Sequence, residues 1–197
     1  MPRIANKLDL AVPKYDDIRK AAADDVDEQL RKLKRMDDRL ELAAHIIRQA
    51  DAEIALHAGD RNGALASLYL YDHYEGHHLG QLAGLTKNAV REILSQAVYD
   101  DPKKPLPPRM TEEEMTRIAL DHNVPHVTET PGDTLRSTGE VIEAAKARRA
   151  TAVRWMQDAA LALHEADRTH VEMAEHAGVS RKLIWQQVQA ARRRRGY

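Results

Sequence analysis

A helical pattern that occurs twice constrains the fold of this chain more than any other feature. Its second copy runs THVEMAEHA, GVS, RKLIWQQVQAARRRR, from residue 169 to residue 195. Thr169 and Glu172 have the spacing of a capping box, which predicts the start of a first helix. Gly178 suits the left-handed residue that ends a helix, and Ser180 suits the N-cap of a second one. The stretch therefore predicts two short helices joined by a three-residue turn.

The first copy lies 94 residues earlier and reads HHLGQLA, GLT, KNAVREIL, from residue 77 to residue 94. When the copies are aligned on their turn glycines, they agree in chemical type at every structural position. The matched pairs are Leu79 with Met173, Gly80 with Ala174, Ala83 with Ala177, Gly84 with Gly178, Leu85 with Val179, Thr86 with Ser180, Lys87 with Arg181, and Val90 with Ile184. Ile93 is apolar where the second copy has Gln187, and Val188 can take that role there. Internal similarity over so long an offset predicts two related domains rather than a solenoid.

Both copies resemble the helix-turn-helix of bacterial and phage transcription regulators. Small Ala174 lies in the first helix, Gly178 lies at the turn, and Val179 and Ile184 occupy the apolar positions between the helices. The resemblance covers roughly 20 residues of the chain in each copy. It implies that the second helix enters the DNA major groove, where its N-terminal residues meet the base edges.

The resemblance also implies which residues contact DNA. In the second copy they are Ser180, Arg181, Lys182, Trp185, Gln186 and Gln189, followed by Arg192, Arg193, Arg194 and Arg195. In the first copy they are Thr86, Lys87, Asn88 and Arg91. Arginine and glutamine can form bidentate hydrogen bonds with guanine and adenine. Glu92 would repel phosphates unless it accepts from a cytosine amino group, so weaker binding is expected from the first copy. Trp185 could instead be a partly buried aromatic residue that packs against the first helix.

Charge is distributed unevenly along the chain. The formal net charge is −1, but residues 180–197 contain six basic residues and no acid, whereas residues 16–28 are acidic. This separation predicts a positive field near the second copy. An arginine run can equally be a solvated helix face or a disordered tail.

The sequence predicts an all-α fold, because no strand pattern is seen outside the irregular connections. Charged residues make up 31% of the chain, aromatic residues 4%, and phenylalanine is absent, so leucine, isoleucine, valine and alanine must build the core. We expect two helical domains, each with a helix-turn-helix, and a long heptad-bearing helix near the N-terminus. The predicted ranges are an irregular arm over 1–15, a long helix with the first helix-turn-helix over 16–100, a proline-rich linker with one short helix over 101–137, and the second helix-turn-helix with a basic tail over 138–197.

The long helix is predicted over residues 22–58. Apolar residues recur there at a spacing of seven, namely Val26, Leu33, Leu40, Ile47 and Ile54. Asp37 and Asp51 interrupt the adjoining seam. The pattern is compatible with a homodimeric coiled coil or with an amphipathic helix packed inside its own domain. A separate helix is expected over residues 62–74.

Farther along the chain, Ser137 and Glu140 predict the start of a helix that reaches residue 166. Its alanines at a spacing of seven would permit close packing against the long helix or against its own copy in a second chain.

No enzyme, cofactor or metal site is predicted. The chain has no cysteine, no glycine-rich phosphate loop and no G-x-S-x-G. His73, His77 and His78 are interpreted as a surface and capping cluster, and His164, His170 and His176 do not share a helical face. Without a long apolar run, neither a signal peptide nor a membrane span is expected, which favours a cytoplasmic, nucleoid-associated protein.

The sequence therefore predicts a protein that binds specific sequences of double-stranded DNA, as a transcriptional regulator or a phage-type repressor. The alternative is a protein-interaction module, in which the long helix binds a partner such as a sigma factor and the helix-turn-helix units are packing scaffolds. An architectural DNA-binding role in recombination or replication is a third, weaker possibility.

Overall fold

The structure, a computed structural model, describes residues 8–196, and all regular elements in that range are helices. They are α1 (Tyr15–Lys32), α2 (Met36–Leu70), α3 (Gly76–Leu82), α4 (Lys87–Tyr99), α5 (Glu112–Asp121), α6 (Pro131–Glu165), α7 (His170–Ala177) and α8 (Arg181–Arg195). The all-α prediction is confirmed. Residues 1–7 of the predicted irregular arm, and Tyr197, lie outside the described residues. None of these helices is long and apolar enough to cross a membrane.

The single helix predicted over residues 22–58 is wrong, because α1 ends and α2 begins within that range. Basic residues 31–32 occupy the last turn of α1, and acidic residues 37–38 occupy the first turn of α2. Cations are favoured at a helix C-terminus and carboxylates at an N-terminus, so this order of charges favours a break. The guanidinium of Arg39 adds to it by donating to the carbonyl of Leu33 over 2.8 Å.

The separate helix predicted over residues 62–74 is also wrong, because α2 continues through Gly59 to Leu70. A Cβ atom at Gly59 would have nothing within 4 Å. Glycine in an exposed helix interior costs only about 1 kcal/mol relative to alanine, and a long helix with a buried face tolerates that cost. Gly59 and the following Asp60 therefore do not end the helix.

The start predicted for the last long helix is wrong as well. Helix α6 begins at Pro131, six residues before Ser137. Proline is favoured at the first helical position, since its missing N–H group would have no helical partner there. Ser137 lies inside the helix, and its hydroxyl donates to the carbonyl of Thr134 over 3.3 Å. Ser137 and Glu140 therefore do not form the predicted capping box.

The duplication extends beyond the two short helix pairs. Helices α2 and α6 each contain 35 residues, and α6 begins 95 residues after α2. Helix α7 begins 94 residues after α3, so the same kind of short pair follows each long helix. Buried positions of the long helices match at the offset of 95, as with Leu40 and Leu135, and with Leu68 and Leu163. The chain therefore repeats a long helix followed by a helix pair.

Two compact units divide the chain, and neither is a contiguous range. Among the described residues, unit 1 contains residues 8–15 and Ala55–Glu143, and unit 2 contains Asp16–Ile54 and residues 144–196. Unit 1 thus includes the α3–α4 pair, and unit 2 includes the α7–α8 pair. Each long helix contributes one half to each unit. These units differ from the contiguous ranges that the sequence suggested. The N-terminal half of α2 belongs to the unit of the α7–α8 pair, and the N-terminal half of α6 belongs to the unit of the α3–α4 pair.

Four of the five residues of the heptad stripe, all except Ile54, lie in or against the core of unit 2. Val26 and Leu40 are fully buried, and Leu33 and Ile47 pack against the same apolar cluster. Ala152 and Ala159 of the alanine series belong to that cluster too. These residues pack within a core of the same chain, which favours the interpretation of an internal amphipathic helix over that of a homodimeric coiled coil.

The two acids that interrupt the seam beside the stripe are paired within unit 2. A carboxylate oxygen of Asp37 lies 3.1 Å from the guanidinium of Arg168, and one of Asp51 lies 2.6 Å from that of Arg149. Both pairs are at least partly exposed to solvent. An exposed pair contributes little to stability, about 1 kcal/mol or less. The acids therefore fit an intramolecular face with a solvated edge.

Candidate nucleic-acid interface

The turn between α7 and α8 is formed as the sequence predicts. Thr169 and Glu172 form the reciprocal capping box at the start of α7. Gly178 has φ of 62°, in the left-handed region, and the N–H of Val179 donates to the carbonyl of Ala174 over 3.0 Å. This backbone geometry reverses the chain within three residues.

A side chain from α2 also holds this turn. The guanidinium of Arg48 donates to the carbonyls of Ala177 and Gly178 over 3.1 and 3.3 Å. Carbonyls at a helix C-terminus have no partner within the helix, so a cation there satisfies them. Arg48 lies 129 residues from Ala177 in the sequence, and no sequence signal connects the two.

Helix α8 is fixed by one buried face. The hydroxyl of Ser180 accepts from the N–H of Leu183 over 3.1 Å, which confirms the predicted N-cap. Ile184, Val188 and Ala191 are fully buried in the core of unit 2. Val188 therefore supplies the apolar contact that Gln187 lacks.

The opposite side of the first two turns of α8 faces solvent. Four of the side chains predicted to contact DNA are exposed there, namely Arg181, Lys182, Trp185 and Gln186. Trp185 keeps 51% of its surface exposed, and Gln189 is half-buried. Trp185 is thus not enclosed by its own unit. The helix presents two cations, a flat aromatic ring and an amide on one accessible face.

The arginine run belongs to α8 and divides into two parts. Arg194 donates to the side chains of Gln157 and Asp158 of α6 over 2.8 and 2.5 Å, and Arg195 lies 3.4 Å from Asp158. Arg192 and Arg193 instead line an open cleft of about 380 Å³ with Gln189 and Glu165. The run is therefore helical up to its last arginine, and only its first two members lie beside Gln189.

Two histidines meet beside α8, although they do not share a helix. His164, near the end of α6, and His170, at the start of α7, stack with ring centroids 5.0 Å apart and planes inclined by 22°. Burial lowers the pKa of His170, and the charges of His164, Arg181 and Arg192 lower it further. Nε2 of His170 is buried and has no hydrogen-bond partner. The sequence interpretation considered shared helical faces alone and therefore missed this contact between helices.

The α3–α4 pair has the same backbone turn. Gly84 has φ of 66°, and the N–H of Leu85 donates to the carbonyl of Gly80 over 2.8 Å. The hydroxyl of Tyr15 donates to the carbonyl of Leu82 over 2.5 Å, which parallels the role of Arg48 in the other pair. A tyrosine 67 residues away in the sequence thus secures the end of α3, where an arginine 129 residues away secures the end of α7.

Helix α4 also exposes its first turns. Thr86 caps the helix by accepting from the N–H of Ala89, and Lys87, Asn88 and Arg91 are exposed. Glu92 is exposed beside them. The face of α4 therefore carries two cations and one carboxylate, whereas the matching part of α8 carries two cations and no acid.

Two histidines of the cluster formed by His73, His77 and His78 have structural partners. Nε2 of His73 lies 3.0 Å from Oγ1 of Thr116, and Nε2 of His78 lies 3.0 Å from the carbonyl oxygen of Leu8. His78 is buried, so its assignment to a surface cluster is wrong. Within residues 8–196, no group of three or more histidines and carboxylates is placed to hold a metal ion.

Comparison with known proteins returns no family model, no curated protein and no solved structure that matches this chain.

Proposed function

We propose that this protein binds specific sequences of double-stranded DNA and acts as a transcriptional regulator of the repressor type. The observation that carries the proposal is the exposed face at the start of α8. Arg181, Lys182, Trp185 and Gln186 project from a helix whose other face is buried and whose N-cap and preceding turn are both fixed. A rigid helix with such side chains at its N-terminus suits the major groove.

Each of these side chains has a role that fits its chemistry. Arg181 and Gln186 can form bidentate hydrogen bonds with guanine and adenine edges. Trp185 can contact a thymine methyl group or the sugar-phosphate backbone. Lys182 carries a flexible point charge that suits a phosphate. The first turns of α8 would therefore both read sequence and set the register.

Phosphate contacts extend along α8 through Arg192 and Arg193. Arg194 and Arg195 are engaged with Asp158, so their guanidinium groups are less available. This division refines the expectation that all four arginines contact DNA equally. Glu165 beside Arg192 and Arg193 limits the positive field in that cleft.

The α3–α4 pair is proposed as a second, weaker reader. Lys87, Asn88 and Arg91 correspond to the positions that α8 uses, and Glu92 opposes phosphate binding there. Two readers in one chain would contact two segments of the same duplex, as the two halves of a dimeric regulator do.

Selection of bound sequences from a random duplex pool, at a stated salt concentration, tests the proposal. We expect a consensus sequence and an affinity that falls steeply with salt, because each neutralised phosphate adds about 0.9 to the slope of log K against log salt. The double variant Arg192→Ala/Arg193→Ala should reduce the magnitude of that slope by about 0.9 to 1.8, which corresponds to one or two lost phosphate contacts. Arg194→Ala should reduce it less. If the full chain enriches no sequence and shows no salt-dependent binding, the protein-interaction alternative takes its place.

A further inference from the structure

The proposed function assigns no role to a pocket that lies beside α4. It lies within unit 1 and has a volume of about 320 Å³. Val90 and Leu94 are buried and form its apolar floor, and the ring of Tyr69 forms a wall. Gly76 opens one side, and the exposed cations Lys87 and Arg91 stand at the rim.

The second repeat fills the equivalent position with its own aromatic ring. Gly76 corresponds to His170 at the offset of 94, and Tyr69 corresponds to His164 at the offset of 95 that relates the long helices. His170 stacks on His164 at 5.0 Å. A Cβ atom built on Gly76 would lie 3.3 Å from Cε2 of Tyr69, so a side chain there would also start against the ring. Glycine leaves space beside the ring of Tyr69, which lines the pocket, where the other repeat places an imidazole.

The rim of the pocket is cationic. No described carboxylate lies within salt-bridge distance of Lys87 or Arg91, and both are exposed. The exposed side chain of His77 adds a third nitrogen-bearing group to the lining. An occupant therefore meets an aromatic wall, an aliphatic floor and two positive charges at the entrance.

We propose that this pocket binds a small aromatic carboxylate. Its ring stacks on Tyr69 above Val90 and Leu94, as aromatic pairs do at centroid separations of about 4.5–7 Å. Its carboxylate receives charge-assisted hydrogen bonds from Lys87 and Arg91. The ligand takes the place that the imidazole of His170 occupies in the other repeat.

Ligand binding has a consequence for DNA binding that rests on the proposed function. Lys87 and Arg91 are also the cations through which α4 would contact the duplex. A bound carboxylate neutralises them, so the ligand and the DNA segment read by α4 compete. The pocket would thus make the weaker reader responsive to a small molecule, while α8 remains unaffected.

Amide NMR shifts of the full-length chain, titrated with 2-naphthoate in the absence of DNA, test binding directly. We expect saturable shifts at Tyr69, Gly76 and Leu94. The uncharged analogue 2-naphthalenemethanol should bind at least about tenfold more weakly, because it lacks the charge-assisted hydrogen bonds. Equal affinity for the two compounds, or no saturable shift at these residues, would overturn the proposal.

Substitutions separate the pocket from nonspecific binding. Gly76→His should abolish 2-naphthoate binding, because it supplies the ring that the other repeat already has. Gly59→His is the matched control, since a Cβ at Gly59 has nothing within 4 Å, and it should bind as the wild type does. Undiminished binding by a folded Gly76→His variant contradicts the proposal.

Two further variants keep the test decisive if Gly76→His does not fold. Lys87→Gln with Arg91→Gln changes exposed residues alone and should weaken 2-naphthoate binding about tenfold or more, without weakening the alcohol. Lys103→Gln with Arg117→Gln, also exposed in unit 1, is the control and should leave both affinities unchanged. Duplex binding by the wild type without 2-naphthoate is measured separately, so failure of the DNA proposal and failure of the pocket proposal give different results.

Discussion

His170 is held in a setting that opposes its protonation. Its ring packs on His164, its Nε2 is buried without a partner, and two arginines of α8 act on it electrostatically. Burial is the largest cause of the lowered pKa, and the positive charges of Arg181 and Arg192 act in the same direction. The neutral form of the ring, stacked on His164 of α6, is therefore favoured in the folded protein.

A pH dependence of stability follows from this setting. In the unfolded chain the pKa of His170 returns to its ordinary value of 6.5, so the unfolded state takes up the proton first as the pH falls. Stability from the neutral ring is present above pH 6.5 and is lost as the pH drops toward the lower pKa of the folded state. Thermal unfolding midpoints measured at about pH 7.5 and about pH 5.5 should differ less in His170→Asn than in the wild type. His45→Asn, on an exposed position of α2, should keep the wild-type difference, and an unchanged difference in His170→Asn would contradict the assignment.

At the scale of the element, the two turn glycines make a matched comparison. Both have positive φ, and alanine in that conformation costs about 1–2 kcal/mol. A Cβ on Gly178 would meet Nη1 of Arg48 at 3.8 Å, an ordinary contact, whereas a Cβ on Gly84 would lie 2.8 Å from Cγ of Glu143 and 3.1 Å from the ring of Tyr15. Gly84→Ala should therefore lower the free energy of unfolding by more than Gly178→Ala, which should lose about 1–2 kcal/mol. Denaturant unfolding measures both, and equal losses would show that the tyrosine and glutamate move aside freely.

The elements that the sequence predicts correctly are those defined within a few residues. The capping box at Thr169, the N-cap at Ser180 and the left-handed Gly178 form as expected, because each depends on hydrogen bonds between neighbouring residues. Heptad spacing continued across the end of α1 because Leu33 packs on the same cluster as Leu40 even though no helix contains it. Apolar periodicity alone therefore did not reveal that break, and the change from basic to acidic residues was the signal that could have.

The exposed face of α8 could also be predicted from the sequence, since burial of Ile184 and Val188 turns the intervening residues outward. Contacts between distant segments could not be predicted in this way. Asp158 engages Arg194 and Arg195 from α6, and Arg48 holds the α7–α8 turn from α2, at separations that no local pattern records. These contacts decide which arginines remain available to a ligand, and they required the fold.

At the scale of the whole molecule, the heptad stripe can be tested by charge. Leu40 is fully buried in unit 2, so Leu40→Glu should place an unpaired carboxylate in the core and destabilise the protein by more than about 4 kcal/mol. Leu56 lies on the same helix with 72% of its surface exposed, and Leu56→Glu should change stability by less than about 0.5 kcal/mol. Denaturant unfolding compares the two variants. A stably folded monomeric Leu40→Glu variant derived from a dimeric wild type would instead assign the stripe to a dimer interface.

The repeat explains why the two compact units are not contiguous ranges of the chain. Each helix pair is completed by the C-terminal half of its own long helix and by the N-terminal half of the long helix of the other repeat. Cutting the chain in the proline-rich segment over residues 101–108 would therefore separate the parts of both cores. A sequence pattern shows that two repeats exist, but the pairing of halves depends on which apolar faces are complementary.

Two repeats with unlike exposed faces should contribute unequally to DNA binding. Arg181 and Lys182 have no acid beside them on α8, whereas Glu92 lies beside Arg91 on α4. If Arg181 makes a bidentate base contact, Arg181→Ala should cost about 1–3 kcal/mol of binding free energy and relax the preference at one base position.

Lys87→Ala and Arg91→Ala should cost less and change protection in a different segment of the duplex. Footprinting of all three variants on one selected duplex measures both effects. One short footprint, altered by Arg181→Ala and untouched by the α4 variants, would mean that the α3–α4 pair does not read DNA. The exposed cations of α4 would then remain available to the proposed carboxylate ligand alone.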